Sequence, residues 1–262
     1  MSTTGGSISF DRAAAYYDET RVTDDRSLQA ILDLLESEIC GRGAVLEIGV
    51  GTGQLALPLA ARGAQVVGID LSAKMMAMLR DKTGDAAPLP LLRADATRLP
   101  LGDSSMGGAY ARWVLHLIPQ WMQALRELDR AVAAGGRVAI EPGGFSGTFR
   151  DVFLRFRQVL GDTVVAVGLN YVDRGRQLDE GFASIGWVVH REVPVVYERT
   201  VTLNEIFDEI PTKRWSWTWR VPDDDLVAAT EEVRAWAAEE LGGLDDPLSA
   251  EATRWRVYAR SA

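Results

Sequence analysis

The sequence predicts an α/β fold, a parallel sheet covered by helices on both faces. Three observations carry that expectation. Short apolar runs alternate with segments of helical period as far as residue 141. A glycine-rich turn, Gly49-Val50-Gly51-Thr52-Gly53, directly follows the first of those runs. Acidic residues stand at or near the ends of successive runs: Glu47, Asp70 and Asp95.

Residues 1–9 are small and polar and are expected to fray. Residues 10–40 place Leu28, Ile31, Leu32, Leu35 and Ile39 at helical spacing, and Gly41 and Gly43 stop that helix. Ala44–Ile48 then reads as a strand, Gln54–Arg62 as a helix, Gln65–Ile69 as a strand and Ala73–Lys82 as a helix. Leu89–Ala94 and Met106–Ala111 are the third and fourth strands. Gln120–Ala133 carries Trp121, Leu125 and Leu128 on one helical face, Gly135-Gly136 breaks it, and Arg137–Glu141 is the fifth strand. Right-handed crossovers fix the winding of such a sheet. Beyond Gly143-Gly144 the rhythm changes. Thr148–Leu160 reads as a helix, Trp187–Thr202 as a long strand or bent pair, Asn204–Ile210 and Asp223–Leu241 as helices, and Arg254–Arg260 as a last strand. No repeat and no linker-like segment interrupts the chain, so one domain over 1–262 is expected. Within it, 10–145 is the ligand-binding core, and 146–262 completes the sheet and adds a helical cover near 204–250.

Composition excludes several functions. With 37 acidic and 28 basic residues the net charge is −9, and no run of basic residues is present, which disfavours nucleic acid as a substrate. No apolar run is long enough to span a membrane, and the N-terminus lacks the basic and apolar pattern of a signal peptide. The single cysteine, Cys40, forbids an intrachain disulfide and suits a reducing cytoplasm. It is read as a small buried apolar residue rather than a nucleophile. With only His116 and His190 as histidines, no cluster has metal-ligand spacing, and no metal is expected.

The glycine turn lets the backbone bend tightly and approach a ligand closely, and the following helix offers free N–H groups. Its spacing separates ligand classes. A dinucleotide fingerprint wants a glycine at position 54, where Gln54 stands. Glu47, two residues before Gly49, would repel a pyrophosphate and attract a cationic ligand. Asp70, at the end of the second strand, can accept hydrogen bonds from both hydroxyls of a ribose. Its alternative is to cap the next helix, a task Ser72 can perform instead. Asp95, at the end of the third strand, can accept from an adenine amino group, the alternative being a loop carboxylate in a turn. In such a sheet the three acids share one crevice.

These motifs resemble those of the class I S-adenosylmethionine-dependent methyltransferases, more narrowly the methyltransferase type 11 group. Glu47–Gly53 is similar to that family's first motif, Asp70 to its ribose-binding acid, Asp95-Ala96 to its adenine-contacting pair, and Ala133–Val138 to its run into the fifth strand. Phe10-Asp11-Arg12 with Tyr16-Tyr17-Asp18 is similar to its opening segment, where an aromatic hydroxyl closes over the cofactor; Tyr17 is the match. The resemblance covers roughly 10–145. It implies a Rossmann-like, seven-stranded sheet whose last strand is antiparallel, S-adenosylmethionine as cofactor, and a cofactor site built from Tyr17, Glu47, Gly49, Gly51, Gly53, Asp70, Leu71, Asp95, Ala96 and Arg112. Strand four departs from the family in having Gly107 and Gly108 where an acid near its start is common.

The implied chemistry is in-line displacement of a methyl group, which needs held geometry and excluded water more than acid–base help. His116, just past the fourth strand, is the candidate general base if the acceptor carries a tightly held proton; otherwise it packs or caps. Arg112 is expected either to touch cofactor or an anionic substrate or to be an exposed strand-end charge, and Glu141 either to face the same crevice from the end of strand five or to be a solvated loop acid. Trp215, Trp217 and Trp219 alternate with polar residues and would share one face if extended, where they would pack in the core or line an apolar pocket. Residues 10–20 and 204–250 are expected to close over the crevice. No Asn- or Asp-Pro-Pro-aromatic motif follows strand four, where Ala111-Arg112-Trp113-Val114 stands instead, and no cysteine follows it either. A small-molecule acceptor is therefore expected, with a protein side chain as the alternative. The competing readings are an NAD-type oxidoreductase and a non-catalytic protein that keeps the fold.

Overall fold

The computed structural model describes residues 6–21, 23–84, 89–144, 147–164, 167–171, 173–197, 201–248 and 251–261. The chain forms two compact units. The first comprises 1–143, 167–195 and 253–262, and the second 144–166 and 196–252.

In the first unit the chain enters through a 3-10 turn at Ala14–Tyr16 and a short helix α1, Tyr17–Thr20. Helix α2, Asp25–Ile39, follows. Asp24 caps it by accepting from the Ser27 N–H at 2.8 Å, and Ile31, Leu32, Leu35 and Ile39 form its buried stripe. The expected helix over 10–40 is therefore three pieces. The expected fraying of 1–9 fails where it can be followed. Ser7 donates to Asp95 and the Ile8 N–H donates to the Leu117 carbonyl, while residues 1–5 lie outside the described residues.

The core then alternates: β1 (Val45–Ile48), α3 (Ala56–Ala61), β2 (Val66–Asp70), α4 (Ala73–Lys82), β3 (Leu91–Arg93), β4 (Met106–Arg112), α5 (Trp121–Ala131) and β5 (Val132–Glu141). Strand β5 begins five residues earlier than expected. Gly135 and Gly136 lie inside it rather than ending the helix, and the pairing with β4 shifts register between Met106 and Gly108. An irregular pairing absorbs the glycines there, with Gly135 at a φ of +75°.

Chain direction then depends on an element absent from the sequence reading, α7 (Arg174–Ala183), which follows α6 (Gly147–Leu160) of the second unit. Leu178 and Phe182 bury its inner face, and Gly181 lets it close on Trp121 of α5, since a Cβ there would meet the indole at 2.6 Å. Strand β6, Trp187–Tyr197, is the edge. After α8 (Leu203–Glu209) and α9 (Asp223–Glu240), both in the second unit, β7 (Glu251–Arg260) inserts between β5 and β6. Among the described residues the sheet has seven strands in the order β3-β2-β1-β4-β5-β7-β6. The pairs β3–β2, β2–β1, β1–β4 and β4–β5 are parallel, and β5–β7 is antiparallel. The fold is the expected Rossmann-like α/β sheet with its reversed last strand. Strand order reverses between β1 and β4, and at such a switch point the carboxyl ends of the strands open a crevice.

The small residues of β4 have a packing cause. A Cβ on Gly107 would stand 2.4 Å from the Arg42 carbonyl oxygen, and one on Gly108 would stand 2.8 Å from that of Ile39. Gly107→Ala is therefore expected to cost about 1–3 kcal/mol of stability, read as a lower urea midpoint at unchanged slope. An unchanged midpoint would show that the loop after α2 yields freely.

In the second unit α6 packs on α9, and Phe149, Val152, Phe153 and Phe156 form the inner face of α6. The tryptophan segment is not extended. Residues Ser216–Thr218 form a 3-10 turn, with the Thr218 N–H and hydroxyl both donating to the Trp215 carbonyl. The alternation therefore does not arise from a strand, and Trp215 and Trp217 both pack on the inner face of α6. Trp215 meets Phe149 edge-on at 5.3 Å, and Trp217 meets Phe153 at 5.5 Å and Phe156 at 5.4 Å. Trp217 is core packing for this unit. The expected cover near 204–250 is helical, although residues 249–250 lie outside the described residues, as do 198–200 of the expected strand over 187–202.

Candidate cofactor and acceptor site

The turn after β1 is held by backbone bonds before any ligand is considered. The N–H groups of Gly49 and Val50 both donate to the Ile69 carbonyl at 2.9 Å, and Gly53 N–H donates to Val50. Gly49 and Gly51 take φ values of +73° and +54°, the left-handed region that side chains resist. Helix α3 is only one and a half turns long and starts three residues past Gly53. The expected free N–H groups at its start are partly engaged, since the Leu57 N–H donates to the Gly53 carbonyl at 3.1 Å, and in the turn itself the Gly51 N–H donates to Asp70 Oδ2 at 2.8 Å.

Asp70 closes β2 and is held by two backbone donors, Gly51 on Oδ2 and Ser72 on Oδ1 at 2.7 Å. It does not cap α4. Ser72 does, with its Oγ accepting from the Met75 N–H at 3.1 Å. Each Asp70 oxygen keeps a further lone-pair direction for an incoming hydroxyl. Asp95 divides its oxygens. Oδ1 accepts from the N–H and hydroxyl of Thr97 in a tight turn, and Oδ2 accepts from Ser7 at 3.0 Å.

A cavity with about 650 Å³ of open space lies at the carboxyl ends of β1 to β4, and every residue lining it belongs to the first unit. Eight of the expected residues line it: Tyr17, Gly49, Gly51, Asp70, Leu71, Asp95, Ala96 and Arg112. Three do not. Gly53 faces Leu57 and Leu79, where a Cβ would stand at 2.9 Å, so its glycine serves helix packing. Glu47 is paired within the sheet: the Tyr110 hydroxyl donates to its Oε2 at 2.8 Å. Burial pushes the Glu47 carboxyl up to about 8, against the pull of Tyr110 and Arg112. His116 sits in a 3-10 turn, Leu115–Leu117, beside the lining residues Leu117 and Ile118. Burial, with Arg174 and Arg21 nearby, holds its imidazole well below the usual range and therefore neutral, and its buried Nδ1 has no hydrogen-bond partner among the described residues.

For both strand-end charges the exposed alternative fails. Arg112 is buried rather than exposed. Its Nη2 donates to Thr23 at 2.9 Å, its Nε lies 3.5 Å from Glu141, and its guanidinium stacks 3.8 Å from the Trp113 ring. Glu141 is only 1% exposed rather than solvated. Its Oε1 accepts from the Gly143 N–H, and burial raises its carboxyl to about 7 despite Arg112. Both side chains end strands whose carboxyl ends are covered, and sequence gives no sign of that covering.

The entry segment supplies further lining residues: Ser7 and Ile8, which the motifs did not include, and Phe10 of the opening motif. Asp11 accepts from the Ser72 hydroxyl and the Lys74 N–H. Asp18 accepts from Thr52 at 2.6 Å and Gln54 at 3.1 Å, and pairs with Lys82 at 2.7 Å. Tyr17 packs edge-on to Phe10, and burial raises its hydroxyl pKa, keeping it a donor. The acidic residues Asp11 and Asp18 after a polar start were the available signal for this latch.

The cavity fits S-adenosylmethionine by its chemistry. The lining carries two carboxylates placed for hydroxyl and amino donors, a glycine turn whose Gly51 Cβ would crowd Met75 at 3.3 Å, and apolar walls from Ile48, Ile69 and Leu117.

Comparison with known proteins gives the same class. The family model described as a methyltransferase domain matches residues 46–140. A malonyl-[acyl-carrier protein] O-methyltransferase of Geobacter sulfurreducens is 34% identical over 200 residues, covering 73% of this chain and 72% of that protein. A demethylmenaquinone methyltransferase of Thermus thermophilus is 33% identical over 129 residues, 46% of this chain and 59% of that one. Among solved structures, a phosphoethanolamine N-methyltransferase of Haemonchus contortus bound to S-adenosylhomocysteine superposes with a TM-score of 0.56 at 17% identity, over 96% of this chain and 58% of that one; this likeness shows the fold alone. The chain belongs to the class I S-adenosylmethionine-dependent methyltransferases. It is a methyltransferase that uses S-adenosylmethionine. Among the described residues, no helix is long and apolar enough to cross a membrane, and no three His, Cys, Asp or Glu residues are grouped to hold a metal.

Proposed function

We propose that the protein transfers the methyl group to a small-molecule acceptor bound beside the β4 and β5 ends. The supporting observation is the cavity itself, which brings Asp70, Asp95 and Arg112 from three strand ends onto one space. In this reading Asp70 holds the ribose hydroxyls, Asp95 and Ala96 the adenine, and the Gly49–Gly51 turn the amino-acid end. Leu71 packs beside the ribose, and Tyr17 covers it. Glu47 stands behind the Gly49–Gly51 turn, bonded to Tyr110, and acts on a cationic ligand only through its charge when ionised. Bound there, the cofactor supplies a methyl already activated by its sulfonium.

The chain's own residues then orient and seal. Trp113, Val114 and Leu117 wall the side toward the acceptor, and the Asp18 latch keeps the entry segment over the cavity. His116, the candidate base, lies behind the lining residues Leu117 and Ile118 with its Nδ1 buried, and burial makes it a weak base, so the transfer rests on held geometry rather than on proton abstraction by His116. The two curated relatives act on different acceptors by name, one on a malonyl thioester and one on a quinone precursor, so likeness alone does not choose between them.

The test uses methyl-labelled S-adenosylmethionine with the full chain and a fractionated cell extract. Label is expected in the small-molecule fraction. Label confined to protein or nucleic acid would overturn the acceptor class.

A further inference from the structure

Arg174 is a buried charge that neither the fold nor the cofactor site explains. It opens α7, and it is 6% exposed. Its Nη1 donates to the Pro142 carbonyl at 3.1 Å, and its guanidinium lies 5.1 Å from the Tyr171 ring. Its Nε is buried without a hydrogen-bond partner, and among the described residues no carboxylate lies within ion-pair distance of it. Burial draws its pKa down only to about 10, so it stays charged at neutral pH. A buried cation without a counter-ion is strongly unfavourable, and proteins rarely keep one without use.

The nearest carboxylate acting on it is already engaged. Glu141 takes the Gly143 N–H and pairs with Arg112. Glu47, which also acts on Arg112, is tied to Tyr110. Gly143 brings the two guanidiniums around one ring. A Cβ there would stand 3.1 Å from Arg174 Nη1 and 2.9 Å from Trp113 Cδ1, while Arg112 stacks on that same indole. Trp113 and Arg112 both line the cavity, so this centre adjoins it.

We propose that Arg174 and Arg112, flanking Trp113, recognise a carboxylate carried by the methyl acceptor. The inference rests on the methyltransferase reading of the adjoining cavity and narrows its acceptor to an acid. Two guanidiniums adjoin the one Glu141 carboxyl, which burial biases toward its neutral form, so the pair presents positive charge to an anion. The forked donors of arginine match the planar carboxylate.

The experiment titrates the full chain, saturated with S-adenosylhomocysteine, with the monocarboxylates benzoate and propionate, with the neutral amides benzamide and propionamide, and with inorganic phosphate. Each carboxylate is expected to bind at least about tenfold more tightly than its amide, and Arg174→Met is expected to abolish that preference. Equal binding of acid and amide, no carboxylate binding at tens of millimolar, tighter binding of phosphate, or a preference that survives in Arg174→Met would each overturn the proposal. Should Arg174→Met fail to fold, Arg174→Lys keeps the charge without the fork and is expected to cut the preference several-fold; an unchanged preference overturns it. A purely structural Arg174, bonded only to Pro142, would not separate acids from amides. The same titrations run without S-adenosylhomocysteine, alongside its own binding curve, keep the two readings apart. Loss of S-adenosylhomocysteine binding in the unsubstituted chain counts against the cofactor site. Loss of acid preference alone counts against the carboxylate site.

Discussion

Replacing Asp70 with Ala is expected to weaken S-adenosylhomocysteine binding at least about tenfold by calorimetric titration, since hydrogen bonds to a charged group contribute roughly 1.5–3 kcal/mol. The geometry makes the loss specific. Backbone donors from Gly51 and Ser72 fix both oxygens, so the carboxylate meets its ligand already oriented. Asp70→Asn keeps one acceptor oxygen and is expected to lose less. Because the carboxylate also anchors the Gly51 turn, the melting curve of each variant is needed beside its affinity. Unchanged affinity in a folded Asp70→Ala protein would reduce Asp70 to a structural staple.

Stability of the ligand-free protein is expected to fall as pH rises from about 6.5 to 8; below that range the buried, neutral His116 acts in the opposite direction. The sign follows from Glu47, whose folded pKa is raised from 4.5 to about 8 by burial. Between those values the folded state holds a proton that the unfolded state has released, so stability is full below the unfolded pKa and declines up to the folded one. Glu141, raised by burial to about 7, acts in the same direction. For Glu47 alone the span corresponds to roughly 3–5 kcal/mol. Glu47→Gln, which cannot ionise, is expected to flatten much of the slope in a urea series across pH. A cationic ligand beside Glu47 favours its ionised form, so S-adenosylmethionine binding is expected to release protons and to tighten toward pH 8. A profile that is flat, or that rises, between about pH 6.5 and 8 contradicts this account of the buried acids.

The parts of the site legible in sequence were those encoded locally. The Gly49–Gly53 turn, Asp70 and Asp95 each sit at a strand end whose position the apolar runs define, and Ser72 is a cap readable from its neighbours. What sequence concealed depends on packing between distant segments. Helix α7 has two glycines and only Leu178 and Phe182 as an apolar pair, too weak a period to detect, yet it carries Arg174. The burial of Arg112 and Glu141 comes from their covered strand ends and mutual pairing. The alternation Trp215-Ser216-Trp217 mimics a strand, but a turn with about three residues per winding points successive tryptophans at different phenylalanines. Gly135-Gly136 resembled a helix stop because a strand irregularity and a turn use the same residue.

The central claim concerns where the cofactor lies, and a crystal structure with S-adenosylhomocysteine bound tests it most directly. The account predicts ribose hydroxyls on the Asp70 carboxylate, adenine beside Asp95 and Ala96, the amino-acid end at the Gly49–Gly51 turn, and Tyr17 closed over it. Ligand density elsewhere, or in this cavity with no contact to Asp70, would contradict it.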